Sequence, residues 1–321
     1  MHMSDSLISP IVAGVGAVVA VSLIAVAIRR TSREAGDKMI PMMGVMGAFI
    51  FAAQMLNFTI PGTGSSGHIV GGILLASVLG PWAGFLVLSS VLVLQALLFA
   101  DGGILVLGCN IINMAATSCL IGYPFITRPL LAGRRTFGRV MWASVAGSVV
   151  ALFIGAVGVS LETTLSGITA LPTAAFLRYM IPIHLVIGII EGVATGMVLW
   201  FLSWRRPALL HNADLDKQKG TSAIWLTLAI CSLAMAALFT VIASSSPDGL
   251  EWSIVRTSGV EEIVAPATST THRFVEAVQE QTALIPDYEL SSAGLIGCAI
   301  LLVLSFILSL MFRNRSAKAN K

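Results

Sequence analysis

Charge is scarce in this chain. Asp, Glu, Lys and Arg make up 11% of its 321 residues, against about a quarter in ordinary soluble proteins, and this excludes a water-facing globular exterior around one core. Cysteine is nearly absent as well. Cys109, Cys119, Cys231 and Cys298 lie in apolar runs with no Cys-x-x-Cys spacing, which excludes a disulfide framework and a thiolate metal cluster and leaves them as small buried hydrophobes. No Gly-x-x-x-x-Gly-Lys-Ser/Thr string occurs, so nucleotide binding by a phosphate loop is excluded. The chain also lacks His-Glu-x-x-His and any internal repeat. The first absence weighs against an intramembrane metalloprotease. With a net charge of only +3, no nucleic-acid partner is expected.

What the chain has instead is apolar length. Hydrophobic residues reach 56% and the mean hydropathy is +0.90, the composition of a polytopic membrane protein. Runs of about 20 apolar residues cross a bilayer as helices, because a helix satisfies its own backbone where no water is available. Nine such runs are predicted, at about 7–28, 39–58, 68–80, 82–100, 103–126, 140–160, 180–203, 222–243 and 292–312. The third is short, opening in a glycine loop and stopping at Gly80-Pro81, so a partial or tilted segment is expected there.

The placement of basic residues orients the chain, since Lys and Arg accumulate in cytoplasmic loops. With the N-terminus outside and nine crossings, 16 of the 19 basic residues fall inside, and only Arg178, Arg256 and Arg273 fall outside. Dropping the short third run would invert every later loop. The expected topology is therefore an extracytoplasmic N-terminus and a cytoplasmic C-terminus in the cell membrane. The first run lacks a basic leader and a small-residue cleavage site, so it reads as a retained helix and not as a signal peptide.

Organisation follows from the connections. Residues 1–205 form a seven-crossing membrane domain with short links, and the polar stretch 206–220 reads as a cytoplasmic linker. Residues 221–321 form a hairpin of two helices. An external loop at 244–290 joins them and carries eight acids, Asp248, Glu251, Glu261, Glu262, Glu276, Glu280, Asp287 and Glu289, against Arg256 and Arg273. The fold class is thus an all-α membrane protein.

Two histidines carry the chemistry. The chain opens Met1-His2, and the glycine-rich stretch Pro61-Gly62-Thr63-Gly64-Ser65-Ser66-Gly67 ends in His68. A free Met1 amine, the amide nitrogen of His2 and the His2 imidazole close two fused chelate rings on one metal ion, and His68 can add a fourth nitrogen. Four nitrogens in a plane suit Ni(II) or Cu(II), and nitrogen donors of this kind favour Ni and Co over Mg and Ca. The rival reading is a chance histidine at position 2 and an ordinary loop histidine. The predicted topology puts both pieces at the same membrane face. The 13 methionines lie mostly in apolar helices and read as packing, not as thioether ligands.

These features resemble the metal-capturing M component of energy-coupling-factor cobalt and nickel importers. The resemblance is carried by the Met1-His2 start, by Asn57-Phe58-Thr59-Ile60-Pro61-Gly62-Thr63-Gly64-Ser65-Ser66-Gly67-His68, by Gly80-Pro81-Trp82, by Gln95 through Gly103, and by His184-Leu185-Val186-Ile187-Gly188. The tail is similar to the accessory N component through Pro247-Asp248-Gly249-Leu250-Glu251. Nearly the whole chain is covered, as a fusion of M and N. The resemblance implies Met1, His2 and His68 as metal ligands, Ni(II) or Co(II) as transported substrate, and as partners a transmembrane coupling (T) subunit, cytoplasmic ATPase subunits and membrane lipid. One departure is the Met3-Ser4-Asp5-Ser6-Leu7 stretch after His2, which alters the loop and leaves the chelating atoms in place. The main rival function is an intramembrane metal-dependent enzyme.

Other polar residues receive lesser roles. Gln54 and Asn57, three apart, are expected to tie the glycine loop to the bundle, with hydrogen bonding to a ligating imidazole as the alternative. Asp101-Gly102-Gly103 reads as turn chemistry, with Asn110 and Asn113 on the helix that follows. His184 and Glu191, seven apart on one helix face with Gly188, Gly192 and Gly196, read first as a buried polar pair bracing a close helix contact, and second as residues that orient a metal ligand or line a release path. His211 and His272 are expected to be solvated.

Overall fold

The computed structural model describes residues 1–34, 39–133, 135–205, 221–242, 244–260, 263, 269–286 and 293–319. All nine apolar runs are helical over most of their length. They form α1 (Pro10–Glu34), α2 (Met39–Gln54), α3 (Gly72–Leu79), α4 (Pro81–Leu98), α5 (Leu107–Asn110) with its continuation, α7 (Phe137–Ser166), α8 (Thr173–Arg205), α9 (Thr221–Ile242) and α12 (Ala293–Ala319). Among the described residues, five spans, Pro10–Arg33, Pro81–Leu98, Leu107–Leu131, Phe137–Ser166 and Thr173–Arg205, are long and apolar enough to cross a membrane. The third run is short, as expected, at eight residues. The linker 206–220, with His211, lies outside the described residues.

Local sequence explains the breaks. Gly80 takes φ +85°, closing α3 and opening α4, and Pro81 occupies the first turn of α4, where its missing N–H costs nothing. Helix α5 runs on without a stop into a π-helix (Ile111–Thr127), which contains Pro124, and then into α6 (Arg128–Leu131). Helices α7 and α8 pack along the predicted glycine ladder. A Cβ on Gly188 would stand 2.9 Å from Val149 Cα, and one on Gly192 would run into Val145, so only glycine permits this approach. On the outside, α1 exposes Ile11, Val15, Val18 and Val21, an apolar face left uncovered by the described residues and with the composition of a lipid-facing one.

Two departures from the sequence reading shape the site. The stretch predicted as the 244–290 external loop holds two helices, α10 (Gly249–Ser258) and α11 (Thr270–Thr282). The glycine-rich stretch is a small hairpin, with β1 (Phe58–Ile60) antiparallel to β2 (Ser65–Gly67) in the register Phe58↔Gly67, Thr59↔Ser66 and Ile60↔Ser65. Gly62 and Gly64, at φ +79° and +75°, make the turn that L side chains resist.

Candidate metal-capture site

The N-terminal segment is built into the structure. Met1, Met3, Leu7 and Ile8 are buried, each burial contributing about 1.5–3 kcal/mol, enough to order a terminus that otherwise frays. Asn110 clamps its backbone from both sides: Met3 N donates to Asn110 Oδ1 at 2.9 Å and Asn110 Nδ2 donates to the Met3 carbonyl at 3.2 Å. The same carbonyl accepts from Gly103 N at 2.9 Å, and Asp5 Oδ1 accepts from Val106 N at 2.9 Å. The altered stretch after His2 therefore has a defined path, with a short 3₁₀ turn at Asp5–Leu7.

His68 leaves β2 and leads into α3 over a backbone that is tied on both sides. Val70 N and Gly71 N donate to the two oxygens of Glu191 on α8 at 2.9 and 3.2 Å. The Val70 carbonyl accepts from Gln54 Nε2 at 2.9 Å, and Gln54 Oε1 accepts from Gln95 Nε2 at 2.9 Å. Gln54 thus ties the loop, as expected. His184 and Glu191 are not a pair, and this corrects the bracing reading. His184 Nδ1 donates to the Met180 carbonyl of its own helix at 2.8 Å, while Glu191 serves the loop that carries His68.

The C-terminal unit completes the enclosure. Ser66 N donates to the Pro247 carbonyl at 2.7 Å, Ser66 Oγ to the Ser246 carbonyl at 2.8 Å, and Trp252 Nε1 to the Thr63 carbonyl at 2.9 Å. Asp248 caps α10 in a capping box: its Oδ1 accepts from Leu250 N and Glu251 N at 2.8 and 2.9 Å, and Glu251 Oε2 accepts from Asp248 N at 2.9 Å. The other oxygen, Oδ2, lies 3.1 Å from the Met1 ammonium. Burial is the largest influence on Asp248 and opposes its charge, but the Met1 ammonium, the neighbouring histidines and the Glu251 N–H together outweigh it and hold the carboxyl well below the usual carboxylate range.

The structure brings Met1, His2 and His68 together. The His2 and His68 rings lie 5.2 Å apart, nearly perpendicular at 73°. His2 Nδ1 is 3.0 Å from Asp101 Oδ1, so the turn carboxylate faces the imidazole nitrogen that the chelate would use. A cavity of about 10 Å³, the room of one water-sized sphere, is bounded by Met1, His68, His184, Asp248, Gly249 and apolar neighbours. Among the described residues no group of three or more His, Cys, Asp or Glu side chains forms a ligand cluster. The donors gathered here are two imidazoles and a main-chain terminus.

Several residues differ from their sequence reading. His272 is buried, not solvated: its Nε2 lies 3.0 Å from both the Asp5 and Ile8 carbonyls, pinning the N-terminal segment to α11. Asp248, counted among scattered loop acids, stands against the Met1 amine. Asp101 and Asn110 hold the N-terminal segment in addition to any turn role. Cys231 is exposed, whereas the other three cysteines are buried. A sequence signal for α10 existed, since Asp-x-x-Glu at 248–251 is a capping-box pattern. No local pattern marks the 267-residue reach from His272 to Asp5.

A predominantly helical, multi-pass membrane protein whose one small hairpin among the described residues helps to form a polar enclosure is the class these features define. The profile of CbiM, the cobalt uptake substrate-specific transmembrane region, matches residues 2–209, and the PDGLE domain matches residues 222–314. The chain belongs to the CbiM family and carries a PDGLE domain behind it. It is 31% identical to a putative fused nickel transport protein NikMN of Archaeoglobus fulgidus, over 96% of this chain and 98% of that one. It is likewise 31% identical to a probable fused nickel transport protein LarMN of Lactiplantibacillus plantarum, over 96% of each. A crystal structure of a transition metal transporter superposes with TM-score 0.58 at 31% identity, covering 68% of this chain and all of that one. These relatives are named for metal transport, and the rival reading as an enzyme falls with them.

Proposed function

We propose that the chain is the substrate-capturing membrane component of an ATP-driven energy-coupling-factor importer of Ni(II) or Co(II). The ion is taken at the outer face by the Met1 amine, the His2 amide and imidazole nitrogens, and the His68 imidazole. Residues 1–205 are the capturing domain and 221–321 an accessory domain joined by the cytoplasmic linker 206–220. A transmembrane coupling subunit and cytoplasmic ATPase subunits supply the energy, since the chain has no phosphate loop of its own.

The observation that carries this reading is the meeting of His2 and His68, 66 positions apart in sequence, with ring centroids 5.2 Å apart, in the enclosure that buries Met1. Electrostatics agree with a cationic substrate. Asp248 Oδ2 at the amine and Asp101 Oδ1 at His2 put two carboxylates around the donors, and a bound dication replaces the ammonium as the partner of Asp248. Nickel and cobalt transport proteins among the relatives support the choice of ion, as does the nitrogen donor set.

The terminal amine gives the test. An extra residue before Met1 converts that amine to an amide, so an N-terminal tag should abolish high-affinity Ni(II) binding while a C-terminal tag leaves it intact. Equal affinity of the two forms by titration calorimetry, with equal folding, would sink the chelate.

A further inference from the structure

His184 lies on α8 at the wall of the same cavity, and nothing above gives its outer nitrogen a role. It is 1% exposed. Its Nδ1 is 2.8 Å from the Met180 carbonyl, an atom that only accepts, so Nδ1 carries the proton and Nε2 is left as a lone pair in the neutral imidazole. That Nε2 is buried with no hydrogen-bond partner among the described residues. Buried polar atoms are almost always paired, and an orphaned one at a cavity wall marks a place for a partner from outside the chain. The second ring nitrogen of a metal-binding histidine is typically fixed in this way by a carbonyl.

The surroundings point to a cation acceptor. The cavity that His184 lines also meets Met1, His68 and Asp248, so its neighbours are two of the proposed ligands and an acid. Across from the ring stands Gly249, where a Cβ would come within 3.2 Å of His184 Cε1 and 3.4 Å of Nε2. A larger residue there would press on that edge of the ring. The glycine of the Pro247-Asp248-Gly249 turn keeps the approach to Nε2 free while Asp248 beside it keeps the space negative.

We propose that His184 Nε2 is a further metal-ligating atom, the inner nitrogen that receives the transition-metal ion as it moves off the outer set of Met1, His2 and His68 towards the α7/α8 side of the bundle. The donor is a neutral imidazole, which suits Ni(II) and Co(II). Exchange of the His68 imidazole for that of His184 moves no proton or electron, whereas release of the His2 amide nitrogen and the Met1 amine from the ion returns a proton to each from water. The inference rests on Met1, His2 and His68 being the capture ligands, and the experiment separates the two.

The test uses the full chain in detergent with Ni(II) as the probe. His68→Ala removes one outer nitrogen and leaves the ion to draw on His184. Calorimetry should show binding weakened at least tenfold, and X-ray absorption should count two imidazoles on the bound nickel, from His2 and His184. His68→Ala with His184→Gln should bind at least a further tenfold more weakly and show one imidazole. A merely structural His184 would leave the imidazole count in His68→Ala at one, and that result overturns the proposal without needing a His184 variant to fold. Binding by the double variant within twofold of His68→Ala also overturns it. If His68→Ala binds as the wild type does, the capture reading fails instead.

Discussion

One carboxylate does two jobs at this protein's N-terminus: Asp248 Oδ1 caps α10, and Asp248 Oδ2 holds the Met1 ammonium at 3.1 Å. The C-terminal unit thereby registers the position of the first residue of the chain. Any change at Asp248 is felt both in the PDGLE domain and at the proposed metal site.

Asp248→Ala should therefore loosen α10 and free the terminus together. Loss of an aspartate N-cap costs about 1 kcal/mol, and the Met1 ammonium, in a pair whose side chains are only 2% and 17% exposed, loses its partner as well, a further cost that is larger for a buried pair than for a surface one. Asp248→Asn, which keeps a capping oxygen, should lose less. Limited proteolysis within 244–260 and thermal unfolding should rank Ala below Asn below wild type; equal behaviour of all three would mean that the contact carries no energy.

The same pair sets a pH dependence. Against burial, the amine together with the neighbouring histidines and the Glu251 N–H holds the Asp248 carboxyl below its ordinary value of 3.8, so its stabilising contribution is fully present above that value. It is lost as pH falls below 3.8 through the depressed value in the folded protein. The stability gap between wild type and Asp248→Asn should be constant from pH 7 to about 4 and close only below that. Trp252 fluorescence reports it, since its Nε1 donates to the hairpin at Thr63. A gap that closes between pH 5 and 7 would assign the pair's energy to another group.

Glu191 positions His68 without lying in the cavity. Removing its carboxylate strands the Val70 and Gly71 N–H groups, both now paired with it, and each buried orphan costs about 1–3 kcal/mol. Glu191→Ala should lower Ni(II) affinity about 10- to 100-fold, as loss of a ligand-orienting partner does. Glu191→Gln keeps one acceptor and should fall between. Unchanged affinity in folded Glu191→Ala would show that the hairpin holds His68 unaided.

His272 ties α11 to the N-terminal segment through the Asp5 and Ile8 carbonyls. His272→Ala should speed amide exchange at Met3 and Val106, whose N–H groups are held at 2.9 Å by Asn110 and Asp5, and weaken metal binding with the protein still folded. Exchange at wild-type rates would leave the segment's order to its buried methionines.

Much of this protein is legible in one dimension. Apolar runs of bilayer length specify helices because an unpaired backbone cannot persist in hydrocarbon, so the helices of the nine runs follow from composition alone. The short third helix follows from Gly80-Pro81, and the close α7/α8 contact follows from Gly188, Gly192 and Gly196, since small residues at spacing four permit backbone approach whatever the partner. Met1 and His2 stand out because a terminal chelate is a matter of covalent order, and His68 stands out at the end of the glycine-rich string. Asp248 against Met1, Glu191 under the His68 loop, Asn110 around Met3 and His272 at Asp5 are different. Each joins residues 107 or more apart in sequence, and hydrogen bonding between such partners depends on where folding puts them, not on any spacing in the chain. The sequence by itself determined which segments are helices and which atoms can chelate a metal. Only the tertiary structure decided that a carboxylate from the far end of the chain meets the first amine, because that meeting is made by the hairpin and α10 packing together over α8.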